Sequence, residues 1–220
     1  MTRRYTFGYA YCGSTLAATG THAIAAACTQ HLAADTKVDR AVALEDVAQL
    51  FRKVGEDYVR DMAGRMGAAE RPENAFFDGM IFGFCPATKR FRAFAIVSSM
   101  ATGEFRMNFA ELILAPNRFH PMGSGTGAFL ALDAQLSREH REPGVLTTLG
   151  EMVRREVQAD VGGHAQIGIC DQRGFRVQPI LNPGTAGATL SFLGWDTSMA
   201  SRFEGYEIGY NAVKIDAFWQ

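Results

Sequence analysis

The chain has 220 residues, 47% of them hydrophobic, and its 22 basic and 23 acidic residues leave a formal net charge of -1. That size supports one core of ordinary extent in a single domain over 1–220, and the near-neutral balance excludes the basic footprint of a nucleic-acid binder or an anionic-membrane binder. No run approaches the roughly 18 apolar residues of a membrane span and no apolar h-region follows Arg3 and Arg4, so a soluble, cytoplasmic protein is expected.

Residues 5–12 (YTFGYAYC) are aromatic-rich and end in Gly13-Ser14, which reads as a strand, a turn and a helix N-cap at Ser14. An alanine-rich helix is expected from Thr15 to Ala34, with Leu16, His22, Ala26 and Ala33 near one face. After a polar connection at 35–43, Val47, Phe51, Val54 and Tyr58 recur at three- and four-residue spacing and predict a helix from Leu44 to about Met66.

The runs 76–86 and 91–99, separated by Pro86 to Arg90, predict a β-hairpin, and a further strand is expected at Phe105–Leu114. The segment FHPMGSGTGAFLALDAQLSRE (119–139) is a glycine-rich loop opening a helix with Phe129, Leu132 and Leu136 on its apolar face. Pro143-Gly144 breaks it, and residues 145–160 predict another helix. A second hairpin, turning at Asp171 to Gly174, is expected over 161–181, followed by two short strands near 188–193 and 205–215. Helices in pairs between groups of strands predict antiparallel sheets with helical layers, an α+β arrangement and not a βαβ alternation.

Cys12, Cys28, Cys85 and Cys170 lie far apart in apolar runs, which predicts reduced, buried thiols. His22 and His31 are separated by nine positions and lack an HExxH neighbour, and His164 alternates into a strand. No metal site and no cofactor are therefore expected.

Four pieces resemble the proteasome-like β-subunit family of N-terminal-nucleophile (Ntn) hydrolases. YTFGYAYCGS with its alanine-rich helix resembles the family's central strand, turn and first helix, and LEDVAQLFRKVGEDYV resembles the second helix. MIFGFCPATKRFRAFAI resembles the strand pair that follows, and MGSGTGAFLALD with VGGHAQIGICDQRGF resembles the G-S-G loop, third helix and final hairpin. The match spans Tyr5 to Ile180; residues 182–220 form an extension without a family counterpart.

The resemblance implies an αββα sandwich of antiparallel sheets between helical layers, peptide-bond hydrolysis in a self-compartmentalising assembly, and self-association. In the family a nucleophilic threonine, an aspartate and a lysine precede the central strand. Here that strand's match begins almost at Met1, so the leading strands are missing and the chain is expected to be truncated or inactive. The alternatives are a catalytically silent subunit or scaffold, and a small-molecule hydrolase or binding protein using the Gly123–Gly127 loop. Substrates are accordingly a peptide or a small molecule.

Three residues are candidates for catalysis. Thr2 sits beside its own α-amine once Met1 is removed, and that amine can serve as general base, although the first lysine, Lys37, falls between helices. The alternative for Thr2 is a residue that merely leads a strand. Ser124, flanked by glycines at a helix mouth, can offer backbone N–H groups to an oxyanion or simply cap the helix, and the resemblance implies a place near the nucleophile. Asp160 precedes Gly162-Gly163, where the family has an aspartate and a serine that support the nucleophile's amine. Here it is offset, with Val161 in the serine's place, and otherwise reads as an exposed residue closing a helix. Self-cleavage at Gly13-Ser14 or Tyr11-Cys12 is a further route to a nucleophile, and Asp78 and Asp171 sit at strand ends where a carboxylate serves catalysis or finishes a turn.

Overall fold

Alternating burial along Phe77–Cys85 is the organising feature of the N-terminal half. Every second residue of this strand is buried, and Phe77, Ile81 and Cys85 are almost fully so. The period of two turns one face of the sheet toward the helices. The computed structural model describes residues 6–31, 40–65, 72–101, 103–116, 118–139, 144–161, 165–184, 187–193, 195–196, 202–203, 206–207 and 213–214.

The chain is mixed α+β and forms two compact units, one of residues 1–123 with 170–175, the other of residues 124–169 with 176–220. The first begins with strand β1 (Gly8–Gly13), helix α1 (Thr15–Thr29) and helix α2 (Leu44–Arg65). It continues through a short 3-10 turn (Pro72–Ala75) to β2 (Phe77–Cys85), β3 (Arg90–Ser99) and β4 (Arg106–Glu111). The strands form an antiparallel sheet in the order β1-β2-β3-β4, with Ala10 opposite Met80, Ile81 opposite Phe94 and Ile96 opposite Phe109.

The turn from β1 into α1 depends on Gly13, whose φ of +94° suits glycine and whose absent Cβ would lie 2.7 Å from the Phe76 carbonyl oxygen. Ser14 then caps α1 as expected: its Oγ accepts from the Ala17 N–H at 3.4 Å, and its own N–H donates to Phe76 O at 2.9 Å. The buried face of α1 is Ala17, Ala18, Thr21 and Ala25, whereas Leu16 is 53% exposed and His22 is exposed. Small residues point inward because the space beside the helix is filled by larger side chains, among them Phe51 and Tyr58 of α2.

Inside this face, Thr21 Oγ1 is buried without a hydrogen-bond partner among the described residues. A buried, unpaired hydroxyl opposes folding. Thr21→Val, which keeps the shape and removes that group, is expected to stabilise the chain by about 0.5–1.5 kcal/mol. Urea unfolding checks this; a lower midpoint would show that the hydroxyl has a partner in solution.

Ionic contacts tie α2 to the sheet. Asp46 accepts from the Ala43 N–H at 2.8 Å and pairs with Arg40, closing the first turn of α2. Glu56 accepts from the Met107 N–H at 3.0 Å and is flanked by Arg52 and Arg60, while Arg60 donates to Phe105 O. The hairpin tip Cys170–Phe175 also belongs to this unit. The Phe175 N–H donates to Thr6 Oγ1 at 2.7 Å, the Thr6 hydroxyl donates to Phe175 O at 3.2 Å, and the Phe82 and Phe175 rings meet edge to face.

The second unit contains α3 (Thr126–Arg138) and α4 (Val145–Arg154), joined where the buried Thr148 hydroxyl donates to Asp133 at 2.7 Å. Phe129, Leu132 and Leu136 are the buried face of α3, as their spacing predicts. The α4 helix stops at Arg154, six residues short of the expected end at 160. Glu156 adopts φ +49°, and the N–H groups of Glu156 and Val157 fold back onto Val153 and Met152 carbonyls. This is a Schellman-type stop with glutamate where glycine is usual.

The hairpin of β5 (Ile167–Asp171) and β6 (Gly174–Gln178) turns where expected. After it come β7 (Ile180–Gly184), β8 (Gly187–Phe192), which is the strand expected near 188–193, β9 (Trp195–Asp196) and β10 (Arg202–Phe203), and then β11 (Tyr206–Glu207) and β12 (Val213–Lys214), two short pieces within the span expected as one strand near 205–215. The sheet order is β12-β7-β8-β9, and β12 pairs with β7 in parallel, which departs from the antiparallel pattern expected. Among the described residues no helix is long and apolar enough to cross a membrane.

Candidate functional site

Two of the three catalytic candidates meet in the second unit. Ser124, two residues before the first helical residue of α3, donates through Oγ to Oδ2 of Asp160 at 2.5 Å. The other carboxylate oxygen, Oδ1, accepts from Gln158 Nε2 at 2.6 Å. Thr2, the third candidate, lies outside the described residues, as do Lys37, Gly162, Gly163 and His164.

Local structure explains the meeting. Because α4 ends in the Schellman-type stop at Glu156, residues 158–161 leave the helix and close a turn in which the Val161 N–H donates to Gln158 O at 3.1 Å. Asp160 therefore does not close a helix; it stands in the following turn, where its side chain reaches Ser124. Had α4 continued to residue 160, as its sequence pattern suggests, the carboxylate would occupy a helix face instead. On the opposite side, Gly125 is buried, and a Cβ there would lie 2.7 Å from Val161 Cγ2 and 3.0 Å from Met152 Cε. The loop carrying Ser124 seats against the turn carrying Asp160 only because residue 125 has no side chain.

The electrostatics follow from the hydrogen bonds. Donation from Ser124, then from Gln158, holds the Asp160 carboxyl below the usual carboxylate range. Asp160 is thus ionised at neutral pH. A serine hydroxyl has one proton; once it is given to Asp160, Ser124 Oγ faces any further partner as an acceptor. Ser124 and Asp160 are exposed, so such a partner can come from solvent or from another segment of chain. Ser124 does not cap α3 through its side chain, since Gly125 is the N-cap residue and no side-chain bond is made there.

The remaining candidates have structural partners. Asp78 Oδ1 accepts from the Ser98 N–H at 2.9 Å between adjacent strands, and Asp171 Oδ1 accepts from the Arg173 N–H at 2.7 Å within its turn. His22 stacks on Tyr9 with ring centroids 5.4 Å apart. Cys85 is buried, Cys12 and Cys170 are half-buried, and Cys28 is exposed, which corrects the expectation of four buried thiols: position 28 falls on the outer face of α1. Among the described residues no His, Cys, Asp or Glu group could hold a metal ion.

Gln158 is the neighbour of the candidate pair that sequence reasoning missed. Its only signal is a polar side chain two positions before Asp160, and its importance depends on the chain having left the helix. No family model, no curated protein and no solved structure matches this chain.

Proposed function

We propose that the chain is a proteasome-like Ntn-hydrolase subunit, by its resemblance one of a peptide-bond-hydrolysing kind, with Ser124 and Asp160 as a pair whose chemistry suits an amine. The observation that carries this reading is the Ser124–Asp160 hydrogen bond at 2.5 Å, which joins the two residues that the family resemblance marks out. The αββα sandwich belongs to the same proposal, supported by an antiparallel sheet with α1 and α2 packed on it and by the later pair α3 and α4.

In the proposed reaction, removal of Met1 leaves Thr2 with a free amine. The threonine hydroxyl adds to the peptide carbonyl while its proton passes to that amine, and the proton then leaves with the departing amine of the substrate. Water hydrolyses the resulting ester. An acceptor oxygen on Ser124 beside an ionised Asp160 is chemistry that suits an amine taking up a proton.

The test combines intact mass, to establish loss of Met1, with hydrolysis of fluorogenic peptides by the wild-type chain and by Thr2→Ala, Ser124→Ala and Asp160→Asn. Thr2→Ala is expected to abolish activity, and the other two are expected to lower kcat by at least about tenfold, the worth of one charge-assisted hydrogen bond. No hydrolysis, together with no adduct from a threonine-directed covalent inhibitor, would sink the reading.

A catalytically silent, self-associating subunit in the cytoplasm is the second reading. It is favoured by Val161 packed on Gly125 where the family has its supporting serine, and by β1, which among the described residues pairs only with β2. That six-residue edge carries no charge and no proline, the devices that discourage pairing with another chain. Sedimentation separates the two: inactive oligomers support the silent subunit, and an inactive monomer removes it.

A further inference from the structure

We infer that Gln158 is a positioning residue: its amide holds Oδ1 of Asp160 and thereby aims Oδ2 at Ser124, keeping the serine oxygen as an acceptor toward a bound amine. The inference rests on the proposed amine-receiving pair and adds to it the group that orients it.

The argument begins with the carboxylate. An aspartate side chain at the surface has a broad, roughly two-fold torsion about its terminal bond, so one hydrogen bond leaves its second oxygen free to turn toward water. Two donors on opposite oxygens remove that freedom. Ser124 Oγ lies 2.5 Å from Oδ2 and Gln158 Nε2 lies 2.6 Å from Oδ1, so the two clamps act on different atoms. The orientation of the amide is chemically determined: a carboxylate only accepts, so the NH2 end must face it.

The residue that carries the amide is itself held. The stem of Gln158 is half-buried, with its Cγ 3.9 Å from where a Cβ on Gly125 would lie; its main-chain carbonyl accepts the Val161 N–H that closes the turn, and Val161 in turn packs on the loop through Gly125. Gln158 therefore joins the backbone geometry of the turn to the direction of the Asp160 carboxylate. With the clamp in place, Asp160 accepts the Ser124 proton continuously, and Ser124 meets an N–H donor through its lone pairs. Without it, the carboxylate can rotate, and the Ser124 proton is free to point at the incoming amine and oppose it. The chemistry selected is that of a primary amine or ammonium group and not that of an anion.

The experiment is a carbon-13 carboxyl titration of Asp160 in the full chain, run on the wild type, Gln158→Ala and Gln158→Glu, with kcat and KM for peptide hydrolysis measured on the same samples. The Asp160 midpoint is expected to rise in Gln158→Ala and to rise further in Gln158→Glu, where a like charge replaces the donor. The kcat of Gln158→Ala is expected to fall about tenfold with KM unchanged. An Asp160 midpoint that is the same in wild type and Gln158→Ala overturns the inference, as does an unchanged kcat in an active chain. If the wild type hydrolyses no peptide but the midpoints keep this order, the hydrolase reading fails while the clamp stands.

Discussion

Phe51→Ala is expected to destabilise the first unit by about 3–5 kcal/mol, the range for truncating a fully buried phenylalanine. Phe51 is 1% exposed on the inner face of α2. Its ring meets Phe7 edge to face at 5.7 Å and Tyr9 at 5.2 Å, so one side chain anchors the long helix to β1 and to the residue just before it. Alanine would lose the area buried by the ring and leave a cavity that the stiff strand beside it cannot close. Phe51→Leu, which refills most of the volume, should recover much of the loss. Urea unfolding followed by amide exchange of β1 and β2 reads this unit directly; a loss below about 1 kcal/mol would mean that the site collapses and the anchor lies elsewhere.

Arg92→Met is the second large effect, expected to cost about 2–4 kcal/mol. Arg92 is 7% exposed and pairs with Glu111 at 2.6 Å and Glu45 at 3.0 Å, with its guanidinium 4.6 Å from the centre of the Phe94 ring. It joins β3 to β4 and to the first turn of α2 through one planar group. Methionine would keep part of the aliphatic packing and leave two carboxylates facing each other. Both glutamates are partly exposed, which places the cost below that of a wholly buried charge.

The same triad makes stability depend on acid. The Arg92 hydrogen bond holds the Glu111 carboxyl below its usual range, although burial acts against it. A carboxyl depressed in the folded state contributes stability above its unfolded pKa, near 4.5, and that stability is lost as pH falls through the folded value. Arg92→Met should therefore flatten the acid limb of a stability profile as well as lower its plateau. An acid limb of unchanged steepness would assign that dependence to other groups. Asp46, held down by Arg40, is one, and Glu151, where bonds from Arg155 and Arg154 outweigh burial, is another.

Much of the first unit was legible because its signals are local. The Val47, Phe51, Val54 and Tyr58 spacing marks a helix whichever neighbour covers it, and the apolar runs on either side of Pro86–Arg90 have one short connection. Ser14 could be read as a cap because a cap needs only its own helix. The buried face of α1 was less legible: in an alanine-rich helix the small side chains barely distinguish faces, and the volume of α2 selects Ala17, Ala18, Thr21 and Ala25 over Leu16. The C-terminal strands were hardest, since β9 to β12 are two residues each and carry no measurable period.

What the sequence determined by itself was the α+β class, the two helix pairs, both hairpins and the interest of Ser124 and Asp160, because these depend on periodicity, turn chemistry and residue type within a short span. Tertiary structure decided that Ser124 and Asp160 touch and that Gln158 belongs with them. Their separation along the chain is bridged by a helix that ends early through the left-handed Glu156 and by a glycine that lets loop and turn come together. Neither event leaves a periodic trace in the residues around it: a Schellman-type stop without glycine is invisible to pattern, and close approach is a property of two segments at once.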